Sequence, residues 1–234
     1  MEFNGNNLME AFCRDLPKLE LHAHLNGCVR DATIRELSPQ STRLTTSSTR
    51  TLAECFTLFA AIHDITTDLR HVTRITREAI DDFANDNVIY LELRTTPKNR
   101  SERGITKENY LNAVLEGHEA YFRENPKSQI EVRFILSIDR RESGEDAMET
   151  VLLGSRLKSK GVVGIDLSGD PKLGCFLNWK EALTVARSEG LKLTFHAGEI
   201  VDYEETMRLL EFEPDRLGHM CFVNEPIGER LAKR

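Results

Sequence analysis

Four histidines and a glutamate have the types and spacing of a metal-dependent hydrolytic site. His22 and His24 are two residues apart in KLELHAHLNG, and residues two apart on a strand point to the same face. Two such imidazoles can share one ion at Zn–N distances of about 2.0–2.1 Å. His196 and His219 each end a later β-type run. Four histidines at strand ends favour a metal site over separate structural roles.

The glutamate is Glu199, three residues beyond His196 in FHAGE, where a loop can carry its carboxylate over a metal. Such a carboxyl gives or takes a proton if a closed site raises its pKa. An exposed loop glutamate is the alternative. His63 lies at the end of the apolar face of a predicted helix, Leu52–Ile62. Helix capping, packing and ligand binding are all open for it.

The elements that must position these residues alternate between short β-rich runs and longer segments with helical spacing. The runs are Lys18–Leu25, Val88–Thr95, Ile130–Ile138, Val162–Leu167, Leu191–His196 and Arg216–Met220. Between them, apolar residues at intervals of three and four predict helices. This alternation predicts an α/β fold with a parallel sheet and right-handed crossovers.

Two absent motifs indicate whether that sheet forms a closed barrel or stays open. It has no GxGxxG or GxxxxGK[ST] phosphate loop, so a TIM-type barrel is favoured over doubly wound nucleotide-binding folds. In such a barrel the active site lies at the carboxyl ends of the strands, where every predicted strand here ends in polar residues. We expect one domain over residues 1–234 and a loop at the Ser/Thr-rich stretch Pro39–Thr51.

Composition restricts the class of partner. The chain has 234 residues, 40% of them apolar, a net charge of −7 and a pI near 5.6. Binding nucleic acid or an acidic membrane needs clustered Lys and Arg, so we expect neither partner. Without a secretory signal or an apolar run of about 20 residues, a cytosolic protein is expected. Five scattered cysteines without C-x-x-C predict reduced, mostly buried thiols.

Six motifs, taken in order, resemble the adenosine deaminase superfamily, metal-dependent (β/α)₈ barrels that hydrolyse the 6-amino group of purines. They are LPKLELHAHLNG, LELRTTPK, SIDRR, GIDLSGDP, FHAGE and RLGHM. HLNG instead of HLDG, with LELRTTPK and DLSGDP, is similar to the adenosine deaminase-like branch, the N6-methyl-AMP deaminases. The resemblance implies conversion of N6-methyl-AMP to IMP and methylamine. Free adenosine is the alternative substrate, because Asn26 alone is a slender basis for the choice.

The resemblance also implies one Zn²⁺ per chain, a small-molecule purine nucleotide as partner, and a monomer if the barrel is complete. It implies zinc ligation by His22, His24 and His196, proton donation to purine N1 by Glu199, and orientation or deprotonation of the attacking water by His219. The implied nucleotide contacts are His24, Asn26, His63, Thr95, Thr96, Pro97, Lys98, Asp139 and Gly169. Lys98 beside two threonine hydroxyls offers a cation and donors to a phosphate, and a solvated loop lysine is the alternative.

The family pattern continues with a seventh strand and an eighth that ends in two aspartates. The first aspartate completes the metal shell, and the second engages the attacking water and the substrate. The residues after Met220, CFVNEPIGERLAKR, contain no apolar strand followed by Asp-Asp. We therefore expect an incomplete metal-dependent hydrolase-type TIM barrel, with about six of eight βα units and little or no deaminase activity. A catalytically inactive fragment or isoform is the alternative of another class.

Overall fold

The computed structural model describes residues 5–41 and 52–233, which form six strands and nine helices. The strands are β1 (Lys18–His24), β2 (Val88–Thr95), β3 (Glu131–Asp139), β4 (Val162–Ser168), β5 (Lys192–Ala197) and β6 (Arg216–His219). The helices are α1 (Gly5–Asp15), α2 (Asp31–Leu37), α3 (Leu52–Ile65), α4 (Leu69–Asn85), α5 (Lys107–Glu124), α6 (Gly144–Arg156), α7 (Lys180–Ser188), α8 (Tyr203–Glu211) and α9 (Glu225–Leu231).

The predicted strands are confirmed to within one residue at either end. The predicted helices are confirmed as well, and α1, α2, α8 and α9 are additions that the sequence reading did not identify. Each addition has 7 to 11 residues, so too few apolar repeats occur to establish a helical period. Of the predicted loop Pro39–Thr51, residues 42–51 lie outside the described residues.

The strands follow one another in the sheet in the order β1-β2-β3-β4-β5-β6. Strands β3 to β6 pair in parallel, with Ser137 beside Asp166 and Asp166 beside Thr194. At the next pair, Ala197 lies beside His219. Because these strands run the same way, their carboxyl ends and the polar residues that follow share one edge.

The chain divides into two compact units. The first unit consists of Met1–Leu93 and Lys98–Arg133, and the second of Arg94–Pro97 and Phe134–Arg234. A single family-type domain over residues 1–234 stays a prediction.

In the first unit, α4 and α5 pack against each other at short range. Ile75 and Ile80 of α4 and Val114 of α5 are buried. Gly117 of α5 permits the close approach, because a Cβ at this position would lie 2.4 Å from the carbonyl oxygen of Thr73. This pairing buries apolar side chains from both helices in one close-packed interface.

In the second unit, the core lies between the strands and α6 to α8. Leu136, Trp179 and Phe195 are fully buried. The ring of Phe176 lies 5.0 Å from that of Phe212, and the ring of Phe195 stacks on Phe212 and is tilted relative to Phe176. Burying such aromatic side chains contributes a large share of the hydrophobic stabilisation and fixes the strands that carry the site.

Two further features of the described residues concern membrane spans and cysteines. No helix within residues 5–41 and 52–233 is both long and apolar enough to span a bilayer. Among the four cysteines described there, all are free, but Cys13 and Cys221 are exposed, and Cys28 and Cys175 are half-buried. The expectation of mostly buried thiols is therefore wrong for these four, because two lie at the surface on α1 and after β6.

Cys28 is expected to react slowly although it is not fully buried. Burial, together with the negative charges of Glu20 and Asp82, raises the pKa of the Cys28 thiol to about 11. Because the thiolate is the reactive form, iodoacetamide at pH 8 should modify Cys28 about 100-fold more slowly than an ordinary thiol. A peptide mass-spectrometry time course measures this rate beside that of exposed Cys221. Equal rates at the two positions would contradict the prediction.

Candidate active site

The two histidines of β1 lie side by side in the first unit. Along the end of this strand Ala23 and Leu25 are buried, whereas His22 and His24 are half-buried on the other face. The imidazole ring centroids are 5.3 Å apart. The backbone N–H of His22 donates to Oε1 of Glu20 at 2.7 Å, which fixes the strand locally. Two neighbouring imidazoles on one face match the donor pair that one metal ion requires.

Asn26 follows these histidines in a short 3₁₀ turn, Leu25–Gly27. Its Oδ1 atom is buried and has no hydrogen-bond donor among the described residues. A buried acceptor without a donor is costly, so it marks a place where a bound molecule can supply the missing hydrogen bond. This observation supports the implied role of Asn26 as a substrate contact.

In the second unit, His196 near the end of β5 is held by a buried carboxylate. His196 is 6% exposed and Asp166 of β4 is 0% exposed. Nδ1 of His196 donates to Oδ1 of Asp166 at 2.9 Å, since an ionised carboxylate only accepts. The remaining ring nitrogen, Nε2, therefore keeps its lone pair for a metal, an arrangement typical of metal-ligating histidines.

Asp166 is the centre of a buried polar network that the sequence reading did not assign to the site. Besides His196, it accepts from Nη1 of fully buried Arg94 at 3.2 Å and from Oγ of Ser137 at 2.9 Å. The sequence does contain a signal for Asp166, which is a charged residue inside the apolar run VVGIDLS. A charge that is buried in such a strand needs a partner. Arg94 in VIYLELRT carries the same signal.

Glu199 and His219 meet beside His196. Nε2 of His219 lies 3.4 Å from Oε1 of Glu199, and the rings of His196 and His219 have centroids 4.9 Å apart. The side chain of Glu199 is 25% exposed and that of His219 is 37% exposed. A carboxyl and an imidazole at this separation can each exchange a proton with a molecule bound next to His196.

The backbone around this pair is strained. His219 and Met220 have φ angles of +64° and +55°, a region that side chains other than glycine rarely adopt. The N–H of Met220 donates to the carbonyl of Ala197 at 2.9 Å, and that of Phe222 to the carbonyl of Gly198 at 2.9 Å. Strain held in place by such bonds is common at functional sites, where it aims a particular side chain.

The structure brings Asp139 and Gly169 together at the ends of β3 and β4. Asp139 is buried, and both of its carboxylate oxygens accept hydrogen bonds from the Arg141 guanidinium at 2.9 and 2.5 Å. These hydrogen bonds raise the pKa of Arg141 above its ordinary value. Sequence spacing predicted the location of Asp139 but not this local partner.

Gly169 is expected to be intolerant of a side chain. Its φ is +104°, and a Cβ there would lie 2.9 Å from Oδ1 of Asp139 and 3.0 Å from the amide nitrogen of Arg140. Gly169→Ala should lower the free energy of unfolding by about 3 kcal/mol. The matched control is Gly104→Ala, at φ +66° with nothing within 4 Å, which should cost about 1 kcal/mol. Urea denaturation measures both, and equal losses would contradict the steric account.

The other predicted contacts lie at the end of β2, in the segment after it, or on α3. Thr95 and Pro97 are buried, whereas Thr96 and Lys98 are half-buried. His63 is half-buried in the last turn of α3. The ligand-binding role of His63 stays a prediction, as do the other nucleotide contacts that the resemblance implies.

Comparison with known proteins identifies relatives across almost the whole chain. The family model for adenosine deaminase matches residues 17–233. An N6-mAMP deaminase of Arabidopsis thaliana is 41% identical over 93% of this chain and 70% of its own length. The N6-methyl-AMP deaminase of Homo sapiens is 40% identical over 94% of this chain and 65% of its own length. The chain thus spans about two thirds of the length of these relatives.

Comparison with solved structures also identifies N6-methyl-AMP deaminases as similar proteins. The apo N6-methyl-AMP deaminase from Arabidopsis thaliana matches with a TM-score of 0.90 at 42% identity, covering 95% of this chain and 70% of that one. Arabidopsis ADAL complexed with IMP matches with a TM-score of 0.89 at 42% identity, with the same coverage. An amidohydrolase from Burkhoderia ambifaria with bound Zn matches at 0.76 and 25% identity, covering 96% of this chain and 65% of that one. These matches confirm the predicted α/β fold of the metal-dependent hydrolase TIM type.

Proposed function

Because the chain belongs to the adenosine deaminase family, we propose that it binds a purine nucleoside monophosphate and serves the deamination of N6-methyl-AMP to IMP and methylamine. The family prediction, and with it the deaminase class of enzyme, is confirmed by the match over residues 17–233. The choice of substrate is supported by relatives named as N6-methyl-AMP deaminases and by a neighbour complexed with IMP. The observation that carries the proposal is the cluster of His196, Glu199 and His219, next to a buried carboxylate that orients His196.

We propose that His22, His24 and His196 would hold one zinc ion. The donor set fits, because each histidine lies near the carboxyl end of its strand and His196 has one ring nitrogen fixed by Asp166. The neighbour from Burkhoderia ambifaria with bound Zn supports the same metal. Zinc supplies Lewis-acid activation of water at neutral pH when it is bound.

In the proposed mechanism, Glu199 and His219 carry out the proton transfers. As water attacks C6 of the purine, Glu199 donates a proton to N1, which lets the ring accept the electron pair. His219 takes the proton that the water releases and passes it to the leaving nitrogen. The C6 hydroxyl returns its proton to Glu199 as the C6 carbonyl forms, and the C6–N6 bond breaks to release methylamine. The separation of 3.4 Å between the Glu199 and His219 side chains lets both act on one substrate.

The phosphate is proposed to lie near the segment that follows β2. There Lys98 provides a cation close in sequence to the hydroxyls of Thr95 and Thr96, and a phosphate dianion is best satisfied by a charge and several donors. This contact would distinguish a nucleotide from free adenosine, the alternative substrate.

Lys98→Met is expected to raise KM for N6-methyl-AMP by about 10- to 100-fold, since one charge-assisted hydrogen bond is worth about 1.5–3 kcal/mol. The KM for N6-methyladenosine should stay unchanged, because that nucleoside has no phosphate. Initial rates of methylamine release with both substrates measure the two effects. A loss shared equally by nucleotide and nucleoside would exclude a phosphate contact.

The assay that tests the proposed function measures amine release by the purified, zinc-loaded chain. N6-methyl-AMP, AMP and adenosine are compared at equal concentrations, and IMP binding is measured in parallel. The proposal predicts IMP binding and the highest rate with N6-methyl-AMP. A preference for adenosine would support the alternative substrate. IMP binding without amine release would leave nucleotide binding and overturn the proposed deamination, and loss of both would overturn the proposal as a whole.

A further inference from the structure

A buried ion pair joins loops at the carboxyl edge of the second unit. Nη1 of Arg140 donates to Oε1 of Glu205 at 2.9 Å, and the side chains are only 3% and 10% exposed. Arg140 directly follows Asp139, the last residue of β3, and Glu205 lies in the first turn of α8. The pair therefore links the loop after β3 to the helix reached from β5 through Glu199.

The same carboxylate also holds the segment after β4. Oε1 of Glu205 accepts the backbone N–H of Phe176 at 2.8 Å. The guanidinium carbon of Arg140 lies 5.6 Å from the ring centre of Trp179, which is fully buried. The backbone N–H of Arg140 donates to the carbonyl of Ser168 at the end of β4. The segments that follow β3, β4 and β5 thus meet at one arginine and one glutamate.

Both charges also border the loop that carries Glu199. A cavity of about 20 Å³ is lined by Arg140 and Glu205 together with His196, Gly198 and Glu199. Its volume admits one water molecule. Nε of Arg140 is buried and has no acceptor among the described residues, and a buried donor of this kind normally finds one. The guanidinium therefore lies across this cavity from the Glu199 loop.

Stability alone does not explain such a pair, because the desolvation of two buried charges offsets most of their attraction, and apolar replacements are often equally stable. We propose that Arg140 and Glu205 are positioning residues, which hold the loop of Glu199 in the orientation needed for proton donation. This inference rests on the proposed function, in which Glu199 is the proton donor. Misplacing a catalytic group by about 1 Å can cost about 100-fold in rate, so a small loop displacement suffices.

The test uses the double variant Arg140→Met/Glu205→Gln, which removes both charges and leaves neither one buried alone. We expect a melting temperature and a zinc content close to those of the unchanged chain. Amide hydrogen exchange over residues 198–202 should become about 10-fold faster or more, since the loop loses its tie. With N6-methyl-AMP, kcat should fall by about 10- to 100-fold while KM changes by less than about threefold.

The matched control is Arg77→Met/Glu124→Gln, which removes an exposed ion pair between α4 and α5 with an N–O distance of 2.8 Å. It should leave loop exchange and kcat unchanged. Exchange over residues 198–202 at the original rate in the Arg140/Glu205 variant would overturn the inference, as would an unchanged kcat. If the unaltered chain releases no amine, the proposed function fails, and the exchange rates still decide the positioning role. If the double variant does not fold, Arg140→Lys is measured in the same way.

Discussion

Replacing Glu199 with glutamine is expected to lower kcat for N6-methyl-AMP by about 10²- to 10⁴-fold, the range of a lost general acid. Glutamine keeps the size of the side chain and its contact with His219, whose Nε2 lies 3.4 Å from the carboxylate. It cannot deliver a proton to purine N1, because an amide is far too weak an acid. Zinc content and the affinity for IMP should therefore stay close to those of the unchanged chain.

Steady-state methylamine release at saturating substrate measures this loss. The matched control is Glu204→Gln, the same substitution five residues further along at a side chain that is 79% exposed and paired with Arg208. The control should retain full activity. A Glu199→Gln variant within about threefold of the unchanged kcat would remove the carboxyl from the role of proton donor.

His196→Ala is expected to abolish stable zinc binding. Structural zinc sites bind with about 10–16 kcal/mol spread over their ligands, so the loss of one imidazole should weaken affinity on the order of 10³-fold. Dialysis against a weak chelator should leave about one zinc per unchanged chain and close to none per variant. Metal analysis after dialysis measures this stoichiometry, and amine release should disappear with the metal.

Asp166→Asn is expected to weaken zinc binding, but less than His196→Ala does. The amide still contacts His196 but no longer fixes its tautomer as a carboxylate does, and outer-shell changes of this kind cost about 10- to 100-fold in metal affinity. His118→Ala, on α5 of the first unit, is the control and should not alter zinc content. Full zinc retention by His196→Ala would contradict its assignment as a ligand.

Much of this arrangement follows from local sequence patterns. Strands buried on both faces appear as short apolar runs such as VVGIDL, and the helices between them have apolar residues every three or four positions. Because parallel strands place their carboxyl ends on one edge, polar residues there can be assigned to a site before any coordinates exist. The same reasoning predicts that His22 and His24 share a face, as they do.

The contacts between side chains from different strands and loops depend on strand register and turn geometry, which the sequence does not reveal. Asp166 reaches Ser137 and His196 because β4 lies in a particular register between β3 and β5. The partners of Asp139 and Arg140 depend on how each loop turns after its strand. The exposure of Cys13 and Cys221 was mispredicted because composition favours buried thiols, whereas position on a surface helix or loop decides the individual case.

Zinc K-edge X-ray absorption on the chain loaded with one equivalent of zinc tests the central claim most directly. If His22, His24 and His196 hold the ion, the spectrum contains the scattering of three imidazoles with nitrogen atoms at about 2.0–2.1 Å. One imidazole should disappear in each single alanine variant that still retains metal. A spectrum with no imidazole scattering, or one unchanged by these substitutions, would contradict the account.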